Sequence, residues 1–350
     1  MPSNKALYAD ENATILVRND ITEHDLAANE LLIEVNFSGV NPADVKHATG
    51  LGIRQTVLGY DFAGRVVKSS GSSQYKAGDL VAGYTPSSIG RPLKYGSHQD
   101  FVAAPEDMVF HVPSNLPESH AASLSVVAMT AADVVFNIFQ APLPSKPVEN
   151  NGPLLIWSAS TSVGSCVLQF AKASGFKNIL VTASPGRHQL LRELGATHTF
   201  DYNSPTVIED ITSAVKELGK GPIQYAVDAV GTRGPQSSSD TMLKAVDKST
   251  ICSCVTRFDP PFKMPIATKN QDFRIQPLGA PHPIGIPANP ESHWNAWEAL
   301  KWAIANYGSG FKLPSVESVS ATPEEAIEIL KSVAEGKRGF GKVALKHPFN

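Results

Sequence analysis

The chain has 350 residues, 42% hydrophobic and 18% charged, with 30 Lys and Arg against 33 Asp and Glu and a formal net charge of −3. That balance describes a soluble globular chain of about two domains, with no basic aromatic patch for a nucleic acid to engage. Its apolar stretches are strand-sized or interrupted and Met1–Leu7 holds no apolar signal core, so neither a membrane span nor secretion is expected, and the reading is cytoplasmic.

Cys166, Cys252 and Cys254 are too few and too clustered for a disulfide framework, which suits a reducing compartment. From Ala13 to about Val126 the texture is β-rich: Leu31–Phe37 and Tyr60–Val67 read as strands, and Ala77-Gly78-Asp79 turns into Leu80–Tyr84. Many short strands between Gly and Pro turns predict a small antiparallel barrel. Pro117–Phe139 reads as helical.

After Gly152 the pattern changes to strand and helix in alternation. Leu154–Trp157 is a short apolar run suited to a strand buried on both faces, and Val163, Val167, Phe170, Ala171 and Ser174 follow at helical spacing until Gly175. Strands are then expected at Ile179–Ala183, Thr197–Phe200, Ile223–Ala229 and Ser249–Val255. Helices are expected from Ser204 as N-cap with Pro205 at the first position, and near Gln236–Val246. Trp294–Asn306 is a further helix, Thr322-Pro323-Glu324-Glu325 opens another with a capping box, and Lys342–Lys346 is a last strand. The fold class is therefore α/β: a Rossmann-type doubly wound parallel sheet inserted in a discontinuous barrel domain. The expected segments are 1–127 with 287–350 for the barrel and 128–286 for the sheet.

The turn after Trp157 has the form of a dinucleotide site, because a strand, tight turn and helix aim free N–H groups and a positive dipole end at a phosphate. With Gly164 as the third glycine of G-x-G-x-x-G, Ala159 and Thr161 hold the other two places. Ser160, Thr161 and Ser162 can add hydroxyl donors, with Val163 and Gly164 opening the helix; the alternative is a bare βαβ unit. The second strand ends in Ser184-Pro185-Gly186-Arg187-His188 without the acid that an NAD ribose would want. Arg187 with Ser184 suits a 2′-phosphate, so NADPH is the expected cofactor; the other reading of Arg187 is a solvated turn residue.

Five segments and the nucleotide turn together resemble the medium-chain dehydrogenase/reductase superfamily. They are Val40–Lys46, Leu58–Gly64, Lys76–Val81, Leu194-Gly195-Ala196 and Gly339–Val343, which run in the family's order over nearly the whole chain. The Ser-Ala-Ser-Thr turn and the Asn-Pro-Ala-Asp-Val-Lys run are most similar to fungal stand-alone, trans-acting enoyl reductases that serve highly reducing polyketide synthases. The resemblance implies a GroES-like barrel domain. Zinc members carry Cys where this chain has Ala43 or Asp44, and Gly-His-Glu where it has Gly59-Tyr60-Asp61, so no metal is expected. It carries Lys46 onto cofactor or substrate binding, and Thr130 onto the nicotinamide amide or the substrate pocket. Tyr202, Val230 and Lys342 join the expected cofactor set.

The function so implied is reduction of an α,β-double bond on a carrier-bound polyketide intermediate, with a polyketide synthase and its acyl carrier domain as partners. A quinone or enone reductase for small free substrates, or a non-reducing nucleotide- or metabolite-binding member of the fold, are the alternatives. Many superfamily members pair the edge strands of their Rossmann sheets to dimerise. Here that edge is expected near Phe273–Gly279, where Pro277 and the following Pro281, Pro283, Pro287 and Pro290 argue for a monomer.

Overall fold

The computed structural model describes residues 4–21, 24–70, 72–232, 234, 236–254 and 259–350. It separates into two compact units, one of residues 1–126, 268–289 and 315–350, the other of residues 127–267 and 290–314.

The first unit is built on the long strand Glu30–Val40, whose Leu31, Ile33 and Val35 point inward and are at most 2% exposed. Alternation over Leu31–Val35 gives it one apolar face, and Phe62, Val66, Val81 and Val102 from neighbouring strands close over that face. The seven-stranded sheet runs Val316–Val319, Lys342–Lys346, Glu30–Val40, Asp61–Lys68, Leu80–Tyr84 and Val109–His111, with Phe101–Pro105 paired to the long strand as well. Its pairs are antiparallel except Val316–Val319 with Lys342–Lys346, a parallel pair that the expected antiparallel barrel did not include. Asn4–Ala9, Ile15–Ile21 and Thr56–Val57 form a smaller sheet.

The second unit carries six parallel strands in the spatial order His198–Phe200, Phe176–Thr182, Asn150–Trp157, Tyr225–Asp228, Thr250–Ser253, Phe262–Lys263. Numbered along the chain, that order is 3-2-1-4-5-6, the doubly wound arrangement, and its direction reverses between Asn150–Trp157 and Tyr225–Asp228. The helix Ser162–Ser174 ends where Gly175 takes φ +112°, as the sequence predicts. Val255, the expected end of the fifth strand, lies outside the described residues.

Several expectations change. Phe273–Ile275 does not edge this sheet; it pairs with Ile284–Ile286 in a two-stranded hairpin of the first unit, and the sheet's sixth strand is Phe262–Lys263. The edge-strand argument for a monomer therefore loses its premise. Residues 290–314 join the second unit and 268–289 the first, against the expected 287–350 and 128–286. The physical reason is aromatic packing: Trp302 and Phe311 meet Phe170 of the nucleotide helix at centroid distances of 6.3 and 4.8 Å, and Gln169 bonds Lys312 main chain at both its N–H and its carbonyl.

Ser204 is not the N-cap of its helix, which runs Val207–Leu218 from Thr206. Asp201 and Ser204 instead close a turn, with Ser204 N–H on Asp201 O and Val207 N–H on Ser204 O. The Pro117–Phe139 stretch breaks into Glu118–Ala121, Ser125–Ala132 and a π-helical Asp133–Ile138. Buried Asp133 takes Asn137 Nδ2 at 2.7 Å and Ile266 N at 2.9 Å, side-chain bonding of the kind that accompanies such a bulge. No helix among the described residues is long and apolar enough to cross a membrane.

Candidate active site

The turn Ser158–Thr161 sits at the carboxyl end of the central strand, beside the point where strand order reverses. Ser158 adopts φ +63°, with its N–H on Thr182 Oγ1 at 2.9 Å and Ala159 N–H on Thr182 O at 3.0 Å. Thr161 caps the helix: its hydroxyl accepts from Gly164 N at 3.0 Å and donates to Ala229 O at 3.2 Å. Ser162 and Val163 head the helix, so their N–H groups have no carbonyl within it to bond and stand at its positive end. A Cβ on Gly164 would lie 2.7 Å from Ser158 O and 2.8 Å from Ala159 Cα. That close approach is the reason for glycine at the third place, even though the first two are lost.

Ser184 and Arg187 follow the neighbouring strand Phe176–Thr182, and Tyr202 follows the next one, His198–Phe200. Ser184 Oγ lies 3.3 Å from Tyr202 Oη, and Arg187, exposed, closes the short turn with its N–H on Ser184 O at 2.9 Å. Val230 lies just past the end of the strand Tyr225–Asp228 and is 40% exposed. Asp228 just before it, which sequence reading missed, binds the N–H groups of Val230 and Gly231 and the hydroxyls of Ser238 and Ser239. Its signal was an acid closing a buried strand. These groups fit a phosphorylated dinucleotide: a tight cradle, free helix N–H groups, and a cation with two hydroxyls.

Thr130 is half-buried on the helix Ser125–Ala132, within the second unit. Lys46 and Lys342 belong to the first unit. Lys46 is exposed on the helix Pro42–Gly50, whose start is fixed by Asn41 N–H on Asp44 Oδ2 at 2.7 Å. Lys342 is 6% exposed; its amine donates to Val40 O and Asn41 Oδ1, each at 2.6 Å, and lies 4.0 Å from Asp61. The structure thus gives Lys342 an interior bracing duty that its place in the cofactor set did not foresee. It belongs to a buried polar chain: Asp61 accepts from Asn41, Asp44 meets His98, and His98 and His347 share Ser38. Among the described residues no three His, Cys, Asp or Glu side chains are grouped to hold a metal.

Burial pushes the Asp61 carboxyl up to about 6 against the pull of Lys342 and Asn41, and pushes His47 down to about 4, with Arg91 acting the same way and Asp44 opposing. The raised Asp61 contributes stability present below about pH 3.8 and lost as pH rises through 6. The lowered His47 contributes stability present above about pH 6.5 and lost as pH falls through 4. The two slopes oppose each other between about pH 4 and 6. His47→Gln removes one of them, so the variant should gain stability relative to wild type on acidification from about pH 6 to 4.5. Denaturant unfolding across that range checks it, and parallel curves would refute the His47 assignment.

A doubly wound sheet with this cradle at its switch point, interrupting a β-rich unit, defines a two-unit oxidoreductase of the nicotinamide-dependent kind. The Alcohol dehydrogenase GroES-like domain family matches residues 27–114 and the Zinc-binding dehydrogenase family residues 162–270. The chain belongs to the medium-chain dehydrogenase/reductase superfamily. It is 28% identical to Trans-enoyl reductase mpsG of Macrophomina phaseolina over 95% of each chain. It is 31% identical to Trans-enoyl reductase himH of Aspergillus japonicus over 63% of this chain and 65% of that one. CurK enoyl reductase shares the fold at a TM-score of 0.72 and 19% identity, covering 99% of this chain and 100% of that one.

Proposed function

We propose that the chain is an NADPH-dependent enoyl reductase that reduces the α,β-double bond of a polyketide intermediate carried on a synthase's acyl carrier domain. The observation that carries the proposal is full-length similarity to a trans-enoyl reductase. The Ser184–Tyr202 hydroxyl pair, with Arg187 in the same turn as Ser184, supports the cofactor choice. NADPH, when bound, supplies the hydride. Ser162 and Val163 N–H groups, with Ser160 and Thr161 hydroxyls, would hold the pyrophosphate over Gly164; Arg187, Ser184 and Tyr202 would hold the 2′-phosphate; Val230 would flank the dinucleotide.

Lys46 is assigned to cofactor or substrate binding and Thr130 to the nicotinamide amide or the acyl pocket. The chemistry asks for a donor at the thioester oxygen, where charge develops as the enolate forms, and solvent can protonate the α-carbon. The proposal uses no metal, because the barrel segments contain no cysteine and Asp44 is already engaged by Asn41 and His98.

NADPH oxidation with a crotonyl-type thioester tests the activity. Turnover should exceed that with NADH and with small free quinones, and Lys46→Met or Thr130→Val should each lower kcat or weaken NADPH binding by roughly tenfold or more without unfolding the protein. Nucleotide binding without turnover on the thioester would sink the proposal.

A further inference from the structure

One residue beyond Lys46, His47 enters a cluster that no function above uses. Its Nδ1 lies 2.8 Å from the Tyr60 hydroxyl, and the two rings meet edge to face with centroids 5.4 Å apart. Ser87 Oγ donates to the same Tyr60 oxygen at 3.3 Å. With Ser87 as donor, the single Tyr60 proton is left to give, and Nδ1 is the acceptor at hand. The imidazole is therefore bare at Nδ1 and carries its proton on Nε2. Among the described residues Nε2 meets no hydrogen-bond partner, and His47 is half-buried, so this N–H is left for a ligand or water to take up.

Arg91 fixes the electrostatics. Its guanidinium lies 4.4 Å over the Tyr60 ring and is 5% exposed. Its hydrogen bonds go to the carbonyls of Val57, Gly59 and Tyr95 and to the Thr85 hydroxyl, and none goes to a carboxylate. Asp44 acts on this buried cation only through space, and the guanidinium still disfavours a second positive charge on the neighbouring imidazole and favours negative charge beside it. Burial acts on His47 in the same direction, while Asp44 opposes. The cluster is a neutral, oriented N–H donor in a positive field. That is what a developing oxyanion requires, since a neutral imidazole can polarise a carbonyl without giving up its proton.

We propose that His47 Nε2–H holds the thioester carbonyl oxygen of the substrate and takes its charge as the enolate forms, with Tyr60 as the positioning residue that fixes the tautomer. This rests on the enoyl reductase reading. No proton leaves His47: the electron pair moves onto the oxygen, returns to form the carbonyl, and the α-carbon takes its proton from water.

The test pairs kinetics with ¹⁵N NMR of the ring. In wild type the ring nitrogens should read bare Nδ1 and protonated Nε2. His47→Ala should lower kcat on a crotonyl thioester roughly 10²–10³-fold while the NADPH Kd moves less than about twofold, and His47→Gln, which keeps an N–H donor and the fold, should restore part of it. Tyr60→Phe should mix the tautomers and lower kcat about tenfold at unchanged KM, with a new acid limb in the pH profile. An active wild type with protonated Nδ1, or His47→Ala and His47→Gln both turning over like wild type, would overturn the His47 assignment. A wild type inert to thioesters yet showing protonated Nε2 would overturn the substrate, and with it the enoyl reductase reading, but not the donor.

Discussion

Lys342→Met should destabilise the protein by about 3–5 kcal/mol, the scale for removing one partner of a buried charge pair. The amine serves Val40 O and Asn41 Oδ1 and lies 4.0 Å from Asp61. Its loss strands two buried acceptors, at about 1–3 kcal/mol each, and forces Asp61 to take up a proton near neutrality. Because the Asp61 pKa rises further without its cation, the variant should lose stability more steeply than wild type as pH rises past about 6. The double variant with Asp61→Asn should recover at least ~1 kcal/mol, as coupled neighbours do. Chemical denaturation measures all three proteins, and a loss under ~1 kcal/mol for Lys342→Met would mean the amine is not bracing the barrel.

Arg187→Ala should weaken NADPH binding roughly ten- to hundredfold and leave NADH nearly untouched. One charge-assisted contact is worth about 1.5–3 kcal/mol, and the Ser184 and Tyr202 hydroxyls remain to hold the phosphate in part. Titration of both nucleotides decides it. Equal losses would show that Arg187 supports the turn rather than reading the 2′-phosphate.

The sheet unit was legible because its signals are local. The apolar run before Trp157, the helical spacing after it and Gly175 at the stop each follow from neighbours in the chain, and the observed strand and helix agree. The same holds for the Thr322 capping box and for Lys342–Lys346. What failed was long-range. Residues 290–314 carry helix signals as clear as any, but nothing local says that Trp302 and Phe311 pack on Phe170. Phe273–Ile275 reads as a strand and is one, yet its partner Ile284–Ile286 was hidden by the prolines around it. Ser204-Pro205 imitates a helix start two residues early because Asp201 offers a competing turn. For the candidate site, the positions of the hydroxyls and of Arg187 just after strands were readable. The bracing of Lys342, the serine contacts of Asp228 and the His47–Tyr60 pair were not, since they depend on partners between 10 and 302 positions away.

The placement of Lys342–Lys346 has a consequence for synthesis. This strand sits inside the seven-stranded sheet, between Val316–Val319 and Glu30–Val40, rather than at its margin. Glu30–Val40 leaves the ribosome about 300 residues earlier, which at typical elongation rates is roughly 15–60 s. Throughout that wait the nascent barrel has an open seam along Phe37–Val40, with ladder groups free to pair with any passing strand. The central unit can meanwhile begin to fold, but only Lys342–Lys346 covers that edge of Glu30–Val40 and joins Val316–Val319 to the sheet, so a ribosome stalled short of it leaves an adhesive, half-built sheet rather than a slightly shortened one.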